Sequence, residues 1–349
     1  MKHLVFAVPG DLATPTGGYA YDRHMVAELT RLGWRVDVID IGNDFPRPSA
    51  RTRSSARDTL LAVQKGAAIV VDGLAFGVMP EIAAELRPDH PLVALVHHPL
   101  ALESGITVAE ADDFRRRERA ALAQAHRVIV TSPSTAQRLT QDFGVAAERI
   151  TVALPGNAAR AVARGDRDGP LALLAVGAVV RRKGYDVLIA ALAKVKDLPW
   201  RMTIAGDRTR SPVTAATLDA DIRRHGLSDR IEVTGAVPDQ RLNELYAYAD
   251  LFVLPSRFEG YGIAFAEAIA HGLPVIGTTA GAIPDTVPDG AGLLVPPDDA
   301  DALAGALRTL ITQAEVRDRL AAGARAAAAH LPTWRQSAEI FAGAVEAAR

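Results

Sequence analysis

The sequence predicts an α/β protein made of two doubly wound, Rossmann-like halves, and three observations carry that expectation. Short apolar runs alternate with helical patterns along the whole chain, the signal of parallel βαβ units. The apolar runs are continuous rather than alternating, which suits strands covered on both faces. A length of 349 residues favours two domains over one.

In the first half the expected strands are Leu4–Val8, Arg35–Ile41, Ala68–Asp72, Leu92–His97, Arg127–Thr131 and Ile150–Leu154. Helical patterns fall between them at Tyr19–Leu32, Ala56–Lys65, Pro80–Leu86, Ala109–Ala125 and Ser134–Phe143. Arg47–Arg57, rich in Arg and Ser, reads as a mobile loop. Pro155-Gly156-Asn157 and the polar run Arg164–Pro170 read as a linker. The second half repeats the pattern, with strands at Leu171–Val176, Arg201–Ala205, Ile231–Thr234, Leu251–Leu254, Pro274–Gly277 and Gly292–Val295. Its helices are expected at Tyr185–Lys194, Ala215–His225, Gln240–Ala249, Ile263–Ala270, Asp299–Thr312 and Val316–Ala328. A last helix, Thr333–Ala348, follows the break at Pro332. The expected domains are therefore 1–160 and 165–332, with ligands bound in a cleft between them at strand carboxyl ends.

Composition narrows the function. A net charge of −2 gives no support for nucleic-acid binding. With no cysteine, thiolate catalysis and cysteine-ligated metals are excluded, and a cytoplasmic location fits. No apolar stretch approaches the roughly 18 residues of a membrane span. The apolar run after Met1 ends in Pro9-Gly10-Asp11 and reads as a buried strand, not as a signal segment. Arg115-Arg-Arg-Glu-Arg119 reads as a solvated helix face, with docking to anionic lipid the lesser alternative. Phosphate-loop, zinc-protease and nucleophile-elbow motifs are missing, and the glycine spacings do not form a dinucleotide fingerprint.

The richest stretch is Pro255-Ser-Arg-Phe-Glu259-Gly260-Tyr261-Gly262-Ile263-Ala-Phe-Ala-Glu267, running on to Ala270-His-Gly-Leu-Pro-Val-Ile276. A strand enters a glycine-bearing turn that opens a helix, leaving backbone N–H groups clear to meet an anion. Glu259 lies in the turn and Glu267 about 12 Å further along, inside the helix. Two carboxylates flanking a phosphate-binding turn match the layout of a sugar nucleotide, with hexose on one side and ribose on the other. Val176–Gly184 opens the second half in the same strand–loop–helix context and carries Arg181, Arg182 and Lys183. With only five lysines in the chain, Lys183 is not background usage, and a cationic loop there suits a departing diphosphate. Gly17-Gly18, between the first strand and helix, allow close backbone approach to phosphate or sugar. His97 and His98 end a buried strand, and adjacent strand side chains face opposite ways, so only one should face a ligand. No third ligand for a metal is evident beside them.

The string from Asp250 to Val295 resembles the signature of retaining family 4 glycosyltransferases with the GT-B fold. That resemblance covers most of the second half strongly and the first half more loosely. It implies two Rossmann-like domains facing across a cleft, with the last helix crossing back to the N-terminal domain. It also implies metal-independent transfer of a sugar from a nucleoside diphosphate donor to an acceptor hydroxyl with retention, the leaving phosphate serving as base, and no cofactor. The implied catalytic residues are His97, Lys183 and Glu259. Donor contacts are expected from Gly17, Gly18, Arg182, Lys183, Val237, Glu259, Gly260, Tyr261, Gly262, Ile263 and Glu267. In this pattern Glu259 holds sugar hydroxyls, Glu267 the ribose, and Val237 backbone the base. The family places a cation directly after the first glycine of the second half, where this chain has Ala178, so Arg181 or Arg182 is expected to supply that charge.

The expected activity is a hexosyltransferase using a nucleotide sugar, a UDP-sugar by preference, on an acceptor that is a glycan, a lipid-linked sugar or a small molecule. Contact with a membrane surface has no further support. An epimerase or hydrolase on the same fold, and a catalytically silent nucleotide-sugar binder, remain the alternatives.

Overall fold

A computed structural model describes residues 2–14, 16–103, 105–158, 162–163 and 169–349. The chain divides into two compact units, Met1–Gly156 with Pro332–Arg349, and Asn157–Leu331. Most of the Arg164–Pro170 run expected as a linker lies outside the described residues.

The first unit is a six-stranded parallel sheet made of β1 (His3–Val8), β2 (Arg35–Asp40), β3 (Ala68–Asp72), β4 (Leu92–Val96), β5 (Arg127–Val130) and β6 (Ile150–Val152). Their order is β2-β1-β3-β4-β5-β6. Every residue of β3 and β4 is buried, which is why these strands read as unbroken apolar runs. Helix Trp334–Glu346 packs on this same sheet. Phe341 stacks on Phe6 at 6.2 Å, and Ala338 and Val345 join a core with Leu4, Val70 and Ile129. A capping box between Thr333 and Gln336 starts that helix just after Pro332.

The second unit contains β7 (Leu171–Val176), β8 (Trp200–Ala205), β9 (Ile231–Gly235), β10 (Leu251–Val253), β11 (Val275–Thr278) and β12 (Gly292–Val295). Their order β9-β8-β7-β10-β11-β12 puts the first strand beside the fourth. At that junction the chain leaves neighbouring strands towards opposite faces, opening a crevice at their carboxyl ends. The α/β, doubly wound expectation is thus met in both units.

Two local expectations fail. Arg47–Arg57 is not a mobile loop: from Ala50 it belongs to helix Ala50–Leu61, and the Ser49 hydroxyl caps it by accepting from the Thr52 amide. Only Ala56 and Leu60 of that helix are buried, so its apolar periodicity is faint. Arg115–Arg119 is not wholly a solvated face either. Glu118 is buried at 1% exposure, and Arg117 donates to the Val78 carbonyl at 2.6 Å. Among the described residues no helix is long and apolar enough to cross a membrane.

Candidate functional site

In the second unit most of the residues singled out by sequence gather at the β7–β10 junction, whereas Val237 follows β9, two strands away from β7. Lys183 lies in the short turn Arg181–Lys183 after β7, and Glu259 follows β10. Lys183 Nζ donates to Glu259 Oε1 at 2.6 Å, and Arg182 Nη1 donates to Oε2 at 3.0 Å and to the Phe258 carbonyl at 2.7 Å. Ser256 Oγ adds a third donor to Oε1 at 2.6 Å. Glu259 is 6% exposed. Burial would raise its carboxyl, but the Lys183 and Arg182 charges override burial and hold it down at about 2. Burial draws Lys183 below the usual lysine range while Glu259 opposes that shift.

Two glycines hold this arrangement. Gly184 has φ +69°, and a Cβ there would lie 2.1 Å from the Pro255 carbonyl oxygen. Gly281 has φ +58°, and its Cβ would lie 2.4 Å from the Glu259 carbonyl oxygen. Both need the left-handed region and the missing side chain, so the Glu259 turn is pinned against the Lys183 loop and the Gly281 turn.

Gly262, at φ +94°, caps helix Ile263–Ala270 without any side-chain hydrogen bond, so the first amides of that helix meet no capping side chain. Gly260 and Ile263 flank it, half-buried. Tyr261 points inward at 6% exposure, and its hydroxyl, bonded to Asn157, is pushed up to about 12 chiefly by burial. Glu267 sits on the second turn of the helix, where Oε2 accepts from the Tyr246 hydroxyl at 3.0 Å. Val237 is half-buried in the loop after β9.

Arg182, not Arg181, converges on Glu259; the Arg181 side chain is exposed and its carbonyl receives Arg257. The charge of Arg210 also acts on Lys183. Sequence reasoning missed Ser256, Arg210 and Tyr246. Ser256 lies within the motif itself, but nothing in the local pattern marks the other two.

In the first unit Gly17 and Gly18 begin helix Gly17–Arg31, capped by Thr16. A Cβ on Gly18 would stand 3.2 Å from His97 Cδ2, so the glycine pair and the histidine adjoin. His97 Nε2 lies 3.1 Å from Asp22 Oδ1 and 3.5 Å from Asp72 Oδ2. The fold thus brings to His97 two carboxylates that the local sequence around His97 and His98 does not show. Asp22, Asp72 and His97 place three ligand-type atoms within 4.8 Å of one another. They come from a helix and two strand ends far apart in sequence, which no local spacing reveals. The acidic end of the otherwise apolar β3 was the one available signal. His98 turns elsewhere and pairs with Glu103 at 3.1 Å.

Each unit is a parallel Rossmann-like sheet with polar groups collected where its topology reverses. The Glycosyltransferase Family 4 model matches residues 17–156, and the Glycosyl transferases group 1 model matches residues 161–327. The chain belongs to this family of GT-B glycosyltransferases. It is 32% identical to a D-inositol 3-phosphate glycosyltransferase of Xylanimonas cellulosilytica over 70% of this chain, and spans 64% of that relative's length. An MMP alpha-(1->4)-mannosyltransferase of Mycolicibacterium hassiacum is 28% identical over 84% of this chain and 74% of its own. Among solved structures, sucrose-phosphate synthase from Thermosynechococcus elongatus superposes with a TM-score of 0.83 at 22% identity, covering 98% of both chains. Anabaena HepE in complex with UDP and glucose gives 0.78 at 20% identity, covering 99% of this chain and 100% of its own. At these identities the structural likeness speaks for the fold.

Proposed function

We propose that the chain transfers a hexosyl group from a nucleoside diphosphate sugar, specifically a UDP-sugar, to an acceptor hydroxyl, with retention and without a metal. The observation that carries this reading is the convergence of Lys183 and Arg182 on the Glu259 turn at the β7–β10 junction. Two cations there, beside helix amides capped only by glycine, suit a diphosphate whose charge grows as the glycosidic bond breaks. Arg182 fills the cationic role vacated at Ala178. Glu259 spaces and orients the cations as well as offering its remaining lone pairs to sugar hydroxyls. In this reading Glu267 holds the ribose, and its hydrogen bond from the Tyr246 hydroxyl supports that role by fixing the carboxylate. The choice of uracil is supported by the UDP seen in HepE. Retention is supported by family membership.

Nucleoside diphosphate release should be followed with UDP-, GDP- and ADP-sugars, with and without acceptors that include an inositol phosphate. Release that requires an acceptor, and a product keeping the donor's anomeric configuration by proton NMR, is the expected result. Release at the same rate without acceptor would make the chain a hydrolase. Thermal stabilisation by the sugar nucleotide without any release would make it a silent binder.

A further inference from the structure

Three ionisable groups are packed together in the first unit at its own topological reversal, where β1 and β3 are neighbours. Asp22 is 0% exposed and reaches up from helix Gly17–Arg31, one turn after Gly18. Asp72, 1% exposed, ends β3, and its Oδ1 accepts from the Leu74 amide at 2.8 Å. Both carboxylates face the same imidazole nitrogen, His97 Nε2, at 3.1 and 3.5 Å. Tyr21 meets the His97 ring edge-on at 5.4 Å, but its hydroxyl is turned away to the Ala153 carbonyl. The titratable groups facing His97 are thus Asp22 and Asp72, with Tyr21 neutral beside them.

Two carboxylates cannot both stay ionised side by side in a dry interior without a cation between them. The only basic group in this cluster is the imidazole. Burial presses the His97 imidazolium down, but the charges and hydrogen bonds of Asp22 and Asp72 outweigh it and raise His97 to about 10. Asp22 itself is raised by burial while His97 pulls it the other way. About a fifth of the His97 side chain remains exposed, and its ring borders Gly18.

We propose that Asp22 and Asp72 are positioning residues that keep His97 as a fixed imidazolium beside the Gly17-Gly18 turn, so that it serves a ligand as a positive hydrogen-bond donor and not as a base. Nε2–H is committed to the two carboxylates, which leaves Nδ1–H as the donating edge. The ligand chemistry this fits is an electron-rich sugar or phosphate oxygen, and the assignment to a nucleotide sugar rests on the transferase reading above. The protonation state of His97 does not depend on that reading. A second basis for clustering such groups, ligation of a divalent cation, requires Nε2 to lose its proton.

Ring-nitrogen NMR of the whole chain labelled at its nine histidines, with the His97 signal assigned from His97→Gln, tests this directly. In the wild type both His97 nitrogens should remain protonated from pH 5.5 to beyond 8. Asp72→Asn and Asp22→Asn should each lower the His97 midpoint by more than one pH unit, and Asp72→Glu should restore it. The transfer rate of the wild type should show no limb from an imidazole near pH 6.5, whereas Asp72→Asn should acquire one. A wild-type His97 midpoint between 6 and 7, or an unchanged midpoint in a folded Asn variant, overturns the proposal. So does deprotonation of Nε2 on adding Zn2+ or Mg2+, which would make the cluster a metal site. If the Asn variants do not fold, the wild-type titration decides alone. A protonated His97 in a chain that transfers no sugar would sink the transferase reading and leave this assignment standing.

Discussion

Glu259→Gln should destabilise the second unit at neutral pH and slow transfer, and the two effects have separable origins. The substitution keeps the shape and the Ser256 hydrogen bond but removes the charge that Lys183 and Arg182 both face at 2.6 and 3.0 Å. The carboxyl is held at about 2 against an ordinary 4.5. That depression corresponds to about 3 kcal/mol of native-state stabilisation at pH 7, in line with the cost of breaking a buried pair. Lys183, already drawn down by burial, can shed its proton in the variant, which sets a ceiling on the loss. For a unit of this size about 3 kcal/mol corresponds to a Tm drop of roughly 6–12 °C.

The sign of the pH dependence follows from the depressed value. The folded carboxyl titrates lower than the unfolded one, so its contribution is complete above about pH 4.5 and disappears as pH falls towards 2. Urea unfolding of both proteins at pH 7, 5 and 3.5 should show a constant gap at the first two and a smaller one at the third. Turnover, read as UDP release, should fall by roughly one to two decades, the equivalent of a lost charge-assisted hydrogen bond of about 1.5–3 kcal/mol. A Tm change under about 2 °C, or a gap that stays level down to pH 3.5, refutes the buried-pair reasoning. Normal turnover in the folded variant removes Glu259 from the reacting centre.

Lys183→Ala and Arg182→Ala should both weaken UDP binding by calorimetry and reduce turnover, whereas Arg181→Ala should resemble wild type because that side chain is exposed and the charges pairing with Glu259 come from Lys183 and Arg182. Equal losses for Arg181 and Arg182 variants would show that charge count, not placement, matters. Gly18→Val would bring a side chain onto His97, since even its Cβ stands 3.2 Å from Cδ2, and should impair transfer while UDP affinity stays within about twofold. Loss of UDP affinity in that variant would place the nucleotide nearer the first unit than we argue. Glu118 is raised to about 8, chiefly by burial, so its stabilising contribution is full below about pH 4.5 and is lost as pH rises through 8. Glu118→Gln should therefore gain stability relative to wild type on going from pH 5 to pH 8, measured by urea unfolding, and a constant difference would show that Glu118 is not held neutral.

The inner strands were legible from sequence alone because a parallel sheet covered on both faces is built there from continuous apolar runs, as in the fully buried β3 and β4, whereas the edge strand β2 alternates polar and apolar residues and was read from its place in the βαβ order. Helices Pro80–Leu86 and Ile263–Ala270 were equally plain, one opened by proline and the other by a glycine turn. Helix Ala50–Leu61 was legible only from Ala56 on, and its first turns read as loop because a face with two buried residues, Ala56 and Leu60, leaves almost no 3.6-residue signal before Ala56. The same limit hid Glu118, whose arginine neighbours look solvated while its own position turns inward. For the candidate site, the sequence by itself determined the residue types: a glutamate in a glycine turn, a lysine in a cationic loop, a histidine at a strand end. Tertiary structure alone decided their company. Glu259 meets Lys183 across 76 residues, and His97 meets Asp22 across 75. Neither meeting has a local period or spacing to announce it, because each arises from strand order, and strand order is chosen by the packing of whole sheets.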